Sequence, residues 1–387
     1  MSAAIPTQRR RGSASDTWPR VRLGDVATYV NGYAFKPTDW SSAGRPIIRI
    51  QDLTGNSYQM NRYSGNVPEK YEVIKGDVLI SWSASLGVYI WDREDAFLNQ
   101  HIFKVVFDKE DIDKRYFFHQ VSLILRKSAF EAHGCTMKHL TKPVFDALQF
   151  VLPPLAIQRR IAAKLDLLCD IVAKRKNQLS QLNQLVKSRF VEMFGGVNHC
   201  RFPVEKLRDV CLSGGQYGAA EKAVPYDPAK GRYIRITDID DYGCLSSESV
   251  SPENYLKDYL LKENDILFAR TGATVGKTYI HKQGFSTYAG YLIRYVPNTA
   301  LINPVFLFQY TKTSDYKHWI SQTMKIGTQP NINSKQYNTL PVILPPLALQ
   351  REFAGFVAKV DKLAFVVRKS LESAEKLYRQ QLSEAFA

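Results

Sequence analysis

The sequence has little cysteine and no long apolar run. Its 387 residues include five cysteines, an odd number never spaced as C-x-x-C, so the pattern indicates neither a disulfide framework nor a cysteine-based zinc site. No stretch approaches the roughly 18 consecutive apolar residues that a membrane helix needs. Residues 1–17 carry three arginines without the apolar segment of a signal peptide, and are expected to form a basic tail. We therefore expect a cytoplasmic protein with reduced thiols and no membrane partner.

Acidic residues are outnumbered along the whole chain. There are 52 Lys and Arg against 37 Asp and Glu, a net charge of +15, and no acidic half offsets the surplus. This distribution suits a protein that lies along a polyanion, because neutralising phosphates and releasing their counterions supplies much of nucleic-acid affinity. The content of 45% hydrophobic residues excludes disorder for the bulk of the chain. The composition is thus compatible with a folded nucleic-acid-binding protein.

The two halves of the chain repeat each other. The offset between matching segments grows from 184 residues near the start to 192 residues near the end, through small insertions. The matching segments are residues 21–26 with 205–210, 46–53 with 232–239, 76–80 with 264–268, and 152–159 with 344–351. A repeat of about 190 residues is too long for a solenoid. The sequence predicts a duplicated unit with pseudo-twofold symmetry.

Each half changes character once, at a Leu-Pro-Pro-Leu sequence. Before it, short β-rich runs are broken by Gly, Asn and Asp, which is typical of a mixed, strand-rich unit. The predicted strands include residues 47–50, 78–80, 88–91, 103–107, 234–236, 266–268 and 291–296, and the predicted helices are residues 114–130 and 304–324. The prolines mark the step from strand to helix, since proline forces the preceding residue out of helical geometry.

After each Leu-Pro-Pro-Leu, apolar residues recur seven apart, as in a coiled coil. The first seam is Leu165, Val172, Leu179, Val186 and Met193, and the second is Val357, Ala364, Leu371, Tyr378 and Ala385. Arg175 and Arg189 interrupt the neighbouring core position of the first copy. A helix of about 39 residues would be about 58 Å long. Because a lone helix with one apolar seam is unstable in water, the two copies are predicted to pair.

The ordered motifs carry a family resemblance. The first unit contains Gly32-Tyr-Ala-Phe35, Gly44-x-Pro46-Ile-Ile-Arg-Ile50, Gly76-Asp-Val-Leu-Ile80 and Gly134-Cys-Thr-Met-Lys-His-Leu140, and the second contains Gly327-Thr-Gln-Pro-Asn-Ile332. Leu-Pro-Pro-Leu-Ala-x-Gln-Arg and a heptad helix follow both units. This arrangement resembles the specificity subunit of Type I restriction-modification systems, over nearly the whole chain after Arg20.

The resemblance implies an α+β fold, in which two mixed, strand-rich target recognition domains are separated by two long antiparallel coiled-coil helices. The expected boundaries are the basic tail at 1–17, target recognition domain 1 at 18–151, spacer helix 1 at 152–195, target recognition domain 2 at 196–343 and spacer helix 2 at 344–387. Each domain would read one half of a bipartite double-stranded DNA target. The helices would fix the unread spacer between the halves.

The resemblance also implies partners. Two methyltransferase subunits would carry out modification, and motor-nuclease subunits would join through the complex, so the chain is expected to be non-catalytic by itself, without cofactor or metal. Gly272-Ala-Thr-Val-Gly-Lys-Thr278 has three residues between its glycines, where a nucleotide-binding loop needs four. His133 and His139 lack further close ligands.

The alternative is a stand-alone scaffold that binds nucleic acid without sequence preference. The feature that distinguishes the two interpretations is the divergence between the loops at residues 81–85 and 269–273. Loops that differ this much suit two different half-sites, since a non-specific clamp gains nothing from them.

DNA-contacting residues are predicted from polar loops at matching places in the repeat. Lys and Arg position phosphates, while Arg, Asn, Gln, Ser, Thr and Tyr reach base edges. In the first domain the candidates are Asn31, Tyr33, Lys36, Arg49, Gln51, Ser81, Trp82, Ser83, Asn99, His101, Lys138 and His139. In the second they are Gln216, Tyr217, Arg235, Thr237, Arg270, Thr271, Lys277, Tyr288, Tyr291, Lys325, Thr328, Gln329 and Asn331. Alternatively, Tyr33 and Tyr217 are core residues, and Arg49 and Arg235 pair with Asp52 and Asp238.

Overall fold

The computed structural model describes residues 18–57, 59–83, 85–131, 141–196, 201–324 and 330–386. Contacts within the chain define two units, one formed by residues up to Lys174 with those from Ser370 onward, and the other by Arg175–Lys369. Each unit holds one globular half of the repeat and parts of both long helices. Within the described residues, no helix is long and apolar enough to cross a membrane.

The first repeat alternates short strands with a few helices. Its strands are β1 (Arg20–Arg22), β2 (Thr28–Asn31), β3 (Arg45–Ile48), β4 (Arg62–Tyr63), β5 (Glu72–Val73), β6 (Val78–Ser81), β7 (Gly87–Ile90), β8 (Ala96–Leu98), β9 (Ile102–Val106) and β10 (Gln149–Val151). Its helices are α1 (Leu23–Val26), α2 (Ile50–Leu53), α3 (Lys114–Glu131), α4 (Lys142–Asp146) and the long α5 (Leu155–Phe194).

The second repeat follows the same plan. Its strands are β11 (Val204–Lys206), β12 (Gln216–Tyr217), β13 (Ala223–Pro225), β14 (Arg232–Ile234), β15 (Val250–Pro252), β16 (Ile266–Ala269), β17 (Thr278–Ile280), β18 (Ser286–Tyr288), β19 (Leu292–Tyr295) and β20 (Pro341–Ile343). Its helices are α6 (Pro304–Tyr310), α7 (Ser314–Thr323), α8 (Ser334–Tyr337) and the long α9 (Leu347–Phe386).

The strand pairing shows that the repeat in sequence is a repeat in structure. The four-stranded antiparallel sheet β2-β9-β6-β7 of the first repeat corresponds to β12-β19-β16-β17 of the second. The parallel pair β3 and β8 corresponds to β14 and β18, and the antiparallel pair β1 and β10 to β11 and β20. The predicted duplication is therefore confirmed at the level of strand order.

Two details of the predicted elements are wrong. The strand expected to continue through Arg49 or Arg235 ends one residue before it, because the arginine N–H donates to the carboxylate of Asp52 (2.8 Å) or Asp238 (2.9 Å) and starts a helical turn. The single helix expected at 304–324 is two helices, α6 and α7. The chain breaks between them because Thr313 caps α7, its hydroxyl accepting the N–H of Tyr316 at 3.4 Å.

The long helices α5 and α9 pack along their predicted seams. In one unit, Leu165 of α5 lies in the same buried core as Leu382 and Phe386 of α9. In the other unit, Val186 of α5 shares a core with Val357 of α9. Because later residues of α5 meet earlier residues of α9, the two helices run antiparallel, as predicted. Burying these apolar side chains supplies stabilisation of about 1.5–3 kcal/mol each.

One interrupting arginine of the first seam has carboxylate partners. Arg189 forms ion pairs with Glu192 of its own helix at 2.9 Å and with Glu352 of α9 at 3.6 Å. Arg175 donates instead to the side-chain oxygen of Gln178 at 2.8 Å. The charge of Arg189 therefore contributes a contact between the helices where an apolar side chain is missing.

The glutamine of Leu-Pro-Pro-Leu-Ala-x-Gln-Arg joins each long helix to its globular half. The Gln158 amide donates to the carbonyl oxygens of Pro153 (2.9 Å) and Asp111 (3.1 Å), and its oxygen accepts the N–H of Asp113 (2.9 Å). Asp113 in turn accepts two N–H groups from the first turn of α3. One buried side chain therefore fixes the start of α5 against the start of α3.

The same joint recurs in the second repeat. The Gln350 amide donates to the carbonyl oxygens of Pro345 (2.7 Å) and Leu301 (3.2 Å), and its oxygen accepts the N–H of Asn303 (2.7 Å). The Asn303 side chain caps α6 by accepting the N–H groups of Val305 and Phe306. The repeated bonding explains physically why both prolines precede a glutamine at a fixed distance.

Candidate nucleic-acid interface

One edge of the four-stranded sheet in the second repeat gathers polar side chains from three strands. Strand β16 ends at Ala269, which lies opposite Leu292 at the start of β19, and Tyr217 at the end of β12 lies opposite Ile293. Residues that follow or precede these positions must therefore lie close together. The predicted residues at this edge are Gln216, Tyr217, Arg270, Thr271 and Tyr291, joined by Asn331, which forms a bridge with Thr271.

Arg270 is firmly positioned at this edge. Its N–H donates to the Tyr291 carbonyl at 3.0 Å, and its carbonyl accepts the N–H of Ile332 at 2.9 Å. The guanidinium carbon lies 5.0 Å from the centre of the Tyr217 ring. That ring is fixed because its hydroxyl accepts the N–H of Ser334 at 3.0 Å. A cation over an aromatic face is stabilised and loses little freedom when it binds a ligand.

The corresponding edge of the first repeat has the same backbone and different chemistry. Ser81 at the end of β6 lies opposite Ile102, and Asn31 at the end of β2 lies opposite Phe103, so Trp82 occupies the place of Arg270. The Trp82 indole N–H donates to the side-chain oxygen of Asn31 at 3.3 Å. Its ring centre lies 5.4 Å from that of His101. This edge therefore presents an aromatic and amide cluster.

Two glycines let the chain cross close to the sheet at both edges. A Cβ on Gly32 would lie 2.0 Å from the carbonyl oxygen of Asn99, and a Cβ on Gly218 would lie 2.3 Å from that of Ala289. Real Cβ atoms do not approach backbone oxygens so closely, so any other residue would push the segments apart. The glycine of Gly32-Tyr-Ala-Phe35 therefore has a structural cause.

Most of the predicted residues reach the surface, including both tyrosines for which a core position was the alternative. Tyr33 is 37% exposed and Tyr217 is 44% exposed. The exposed candidates are Asn31, Tyr33, Lys36, Gln51, His101, Gln216, Tyr217, Thr237 and Tyr291. The half-buried ones are Arg49, Trp82, Asn99, Arg235, Arg270, Lys277 and Asn331. Lys138, His139, Lys325, Thr328 and Gln329 lie outside the described residues.

Four of the predicted residues are buried. Ser81 is 0% exposed and Tyr288 is 1% exposed, and Ser83 and Thr271 are also buried. Strands β6 and β18 are covered on both faces, so a polar side chain in either strand lies inside the protein whichever way it points. These four side chains lie beneath the surface in the structure, and their contact with DNA stays a prediction.

Three predicted cations are held by carboxylates. Arg49 pairs with Asp52 (3.5 Å), Arg235 with Asp238 (2.8 Å) and Lys277 with Asp241 (3.0 Å). The hydrogen bonds that Arg235 donates to Asp238 raise the pKa of Arg235, and the hydrogen bond that Lys277 donates to Asp241 lowers the pKa of Asp241. The alternative for Arg49 and Arg235, pairing with the nearby aspartates, is what the structure shows. These pairs close the turns after β3 and β14.

Trp40 is an exposed residue that the sequence reasoning missed. It is 45% exposed, and the Arg49 guanidinium carbon lies 5.6 Å from its ring centre. A large exposed aromatic beside a cation is suited to contact a sugar or a base. The available signal was a tryptophan in the polar loop that follows Lys36.

Comparison with known proteins gives the class of this fold. A family model described as Type I restriction modification DNA specificity domain matches residues 15–184 and again residues 202–374. The chain therefore belongs to this family, and its function is DNA specificity. The paired matches coincide with the two halves of the internal repeat.

Individual relatives agree with the family. The chain is 28% identical to the Type I restriction enzyme EcoBI specificity subunit of Escherichia coli, over 97% of this chain and 86% of the relative. It is 23% identical to the MjaVIII specificity subunit of Methanocaldococcus jannaschii, over 93% and 90%. The crystal structure of a Type I S subunit from M. genitalium aligns with a TM-score of 0.59 at 14% identity, covering 96% of each chain. The predicted α+β fold with two strand-rich domains and paired helices is thereby confirmed.

Proposed function

We propose that each repeat reads one half of a bipartite double-stranded DNA target, and that α5 and α9 hold the unread spacer at a fixed length. The proposed domains are the recognition domains at 18–151 and 196–343, and the spacer helices at 152–195 and 344–387, after a basic tail at 1–17. The observation that carries the proposal is the pair of sheet edges described above. They share one backbone plan, yet one presents Trp82, Asn31 and His101 and the other Arg270, Tyr217 and Tyr291.

Different side chains on a common frame give two different sequence preferences. Base edges are read by hydrogen bonds and apolar contacts, and a changed set of donors changes the preferred bases. Phosphate contacts from the basic surface would add affinity without sequence information. The chain itself would perform no chemistry, and its reading of DNA would direct methylation and cleavage by partner subunits in the cytoplasm.

The proposed partners are two methyltransferase subunits, one for each repeat, with restriction subunits joining through the complex. Supporting this, α9 exposes Leu363, Phe365 and Val366, which are 59%, 60% and 65% exposed. Adjacent exposed apolar side chains on a helix are suited to bind another protein. Replacing Phe365 and Val366 by serine should weaken co-purification of the methyltransferase, and Lys362→Ser is the matched control. Unchanged binding would place the contact elsewhere.

The test of DNA specificity is genome-wide sequencing of modified bases. Cells that express the chain with its neighbouring methyltransferase are compared with cells that lack only the chain. A split motif of two short halves around a fixed gap, present only with the chain, is the expected result. Exchanging one repeat for that of another system should change one half alone. An active methyltransferase with no chain-dependent motif would contradict the proposal and favour the non-specific scaffold.

A further inference from the structure

The two sheet edges differ in the cations that they offer to DNA. In the second repeat the predicted cations within the described residues are Arg235, Arg270 and Lys277. Asp238 and Asp241 neutralise the first and the last, at 2.8 Å and 3.0 Å. Arg270 forms no ion pair with any described carboxylate. It is therefore the cation at this edge whose charge and donors are not already used by a protein anion.

The donors of Arg270 are arranged for a ligand. Its Nε is buried and without a hydrogen-bond partner among the described residues, while the side chain as a whole is half-buried. The donors left for a ligand are those of the two terminal nitrogens, Nη1 and Nη2. The Arg270 guanidinium carbon lies over the Tyr217 ring, 5.0 Å from its centre, and a guanidinium group over a ring can still donate in its own plane.

A second unsatisfied polar atom lies beside the arginine. The side-chain oxygen of Asn331 is buried without a hydrogen-bond partner in the part of the chain that the structure describes. Asn331 bridges Thr271, the residue that follows Arg270. Buried polar atoms in folded proteins are nearly always paired, so these two unpaired atoms mark an edge whose hydrogen bonding the described residues leave incomplete.

We propose that Arg270 reads a guanine in the half-site recognised by the second repeat, by donating from Nη1 and Nη2 to its O6 and N7. The proposal rests on the proposed function. Guanine is the base whose major-groove edge offers two adjacent acceptors, whereas adenine offers an acceptor beside a donor and cytosine a donor. Trp82 stands at the equivalent position of the first repeat, so the arginine contact proposed here has no counterpart at that position of the other edge.

The decisive probe is a DNA duplex carrying the methylation motif, in which guanines of the second half-site are replaced one at a time by 7-deazaguanine. This analogue pairs normally and lacks the N7 acceptor. Equilibrium binding is measured with the complete complex of the chain and its methyltransferase. One replacement should weaken binding by about 2- to 12-fold, about half the free energy of a bidentate contact, because the O6 acceptor remains. The same replacement should leave the affinity of the Arg270→Ala variant almost unchanged.

Two variants keep the test independent of folding effects. Arg270→Lys retains the charge and loses the paired planar donors, so it should bind the intact duplex less tightly than the wild type and be less sensitive to 7-deazaguanine. Lys262→Ala removes one exposed positive charge from the same repeat and should keep the full sensitivity to 7-deazaguanine. Because the analogue acts on the wild-type protein, the inference can be judged even where a variant is unstable.

Each other outcome has a separate meaning. A bipartite motif without guanine in the second half-site, or wild-type binding that ignores every 7-deaza replacement, would overturn the guanine assignment and leave the proposed function intact. Equal weakening of all sequences by Arg270→Ala would make the residue a phosphate contact. The absence of any chain-dependent motif would instead contradict the proposed function itself.

Discussion

Replacing Gln350 by alanine should loosen the joint between α9 and the second globular half. The buried Gln350 amide satisfies one backbone N–H, of Asn303, and two carbonyl oxygens, of Leu301 and Pro345, at 2.7–3.2 Å. Alanine would leave all three without that partner. An unsatisfied buried group costs about 1–3 kcal/mol, and partial access of water reduces the total, so we expect a loss of about 2–4 kcal/mol.

The assay is native-state hydrogen exchange at the amides of Asn303, Val305 and Phe306, with the thermal unfolding midpoint as a second readout. Local exchange is preferred because a chain of two units has no single free energy of unfolding. Gln184→Ala, at an exposed position of α5 in the same unit, is the matched control and should change little. A free energy of local opening at the Asn303 amide that changes by less than about 0.5 kcal/mol would refute the reasoning.

Gln350→Glu separates hydrogen bonding from volume. The carboxylate keeps an acceptor for the N–H of Asn303, but its second oxygen faces two carbonyl oxygens and is repelled by them. The ionised variant should therefore be at least as unstable as the Gln350→Ala variant. Burial and these carbonyls would raise the pKa of the new carboxyl above its unfolded value. Protonation would restore a donor, so the variant should regain stability as the pH falls through that raised pKa, in contrast to alanine.

Three further predictions follow from other parts of the fold. Gly218→Ala would place a Cβ 2.3 Å from the Ala289 carbonyl oxygen, so calorimetry should show a lower unfolding midpoint, and methylation at one half-site should be lost. Burial lowers the pKa of His119, whose ring nitrogen lies 2.7 Å from an Asp166 oxygen. The wild type should therefore lose thermal stability as the pH falls below about 6.5, and the His119→Gln variant should lose less. Parallel pH profiles of the two unfolding midpoints would contradict this. Inserting one heptad into each long helix, after Lys174 in α5 and after Lys369 in α9, lengthens the helix pair by about 10 Å. The unread gap in the methylation motif should then widen by about three base pairs.

The parts of the fold that depend on periodicity could be predicted from the sequence. The duplicated order, the strand-rich halves and the seven-residue seams all follow from the spacing of apolar residues, which burial enforces. Leu165, Val186 and Val357 are buried as the heptads require. The joint was predicted as a change of element at the prolines, whereas the glutamine that makes the joint could not be identified, because two of its three partners lie 45–49 residues away in the chain.

The candidate site was harder to predict because polar residues do not show which way they face. Ser81 and Tyr288 lie in strands covered on both sides, a property set by what packs above and below them. Arg235 and Arg270 both follow a strand and were both predicted to contact DNA, with an ion pair to Asp238 as the alternative for Arg235. The difference was present in the sequence, since Asp238 stands three residues after Arg235, whereas Ala273 stands three residues after Arg270.

Within each repeat, the residues that hold the fold together differ in their pattern from the residues at the sheet edge that would contact DNA. Residues whose role is internal recur in both copies: the turn-closing pairs at Asp52 and Asp238, the joints at Gln158 and Gln350, and the crossing glycines. The residues at the two sheet edges do not recur, although the backbone that presents them does. An edge that only supported the fold would have had the same reason as the internal residues to stay alike in the two copies. The divergence of the edges on this shared backbone therefore favours a target with two unlike halves.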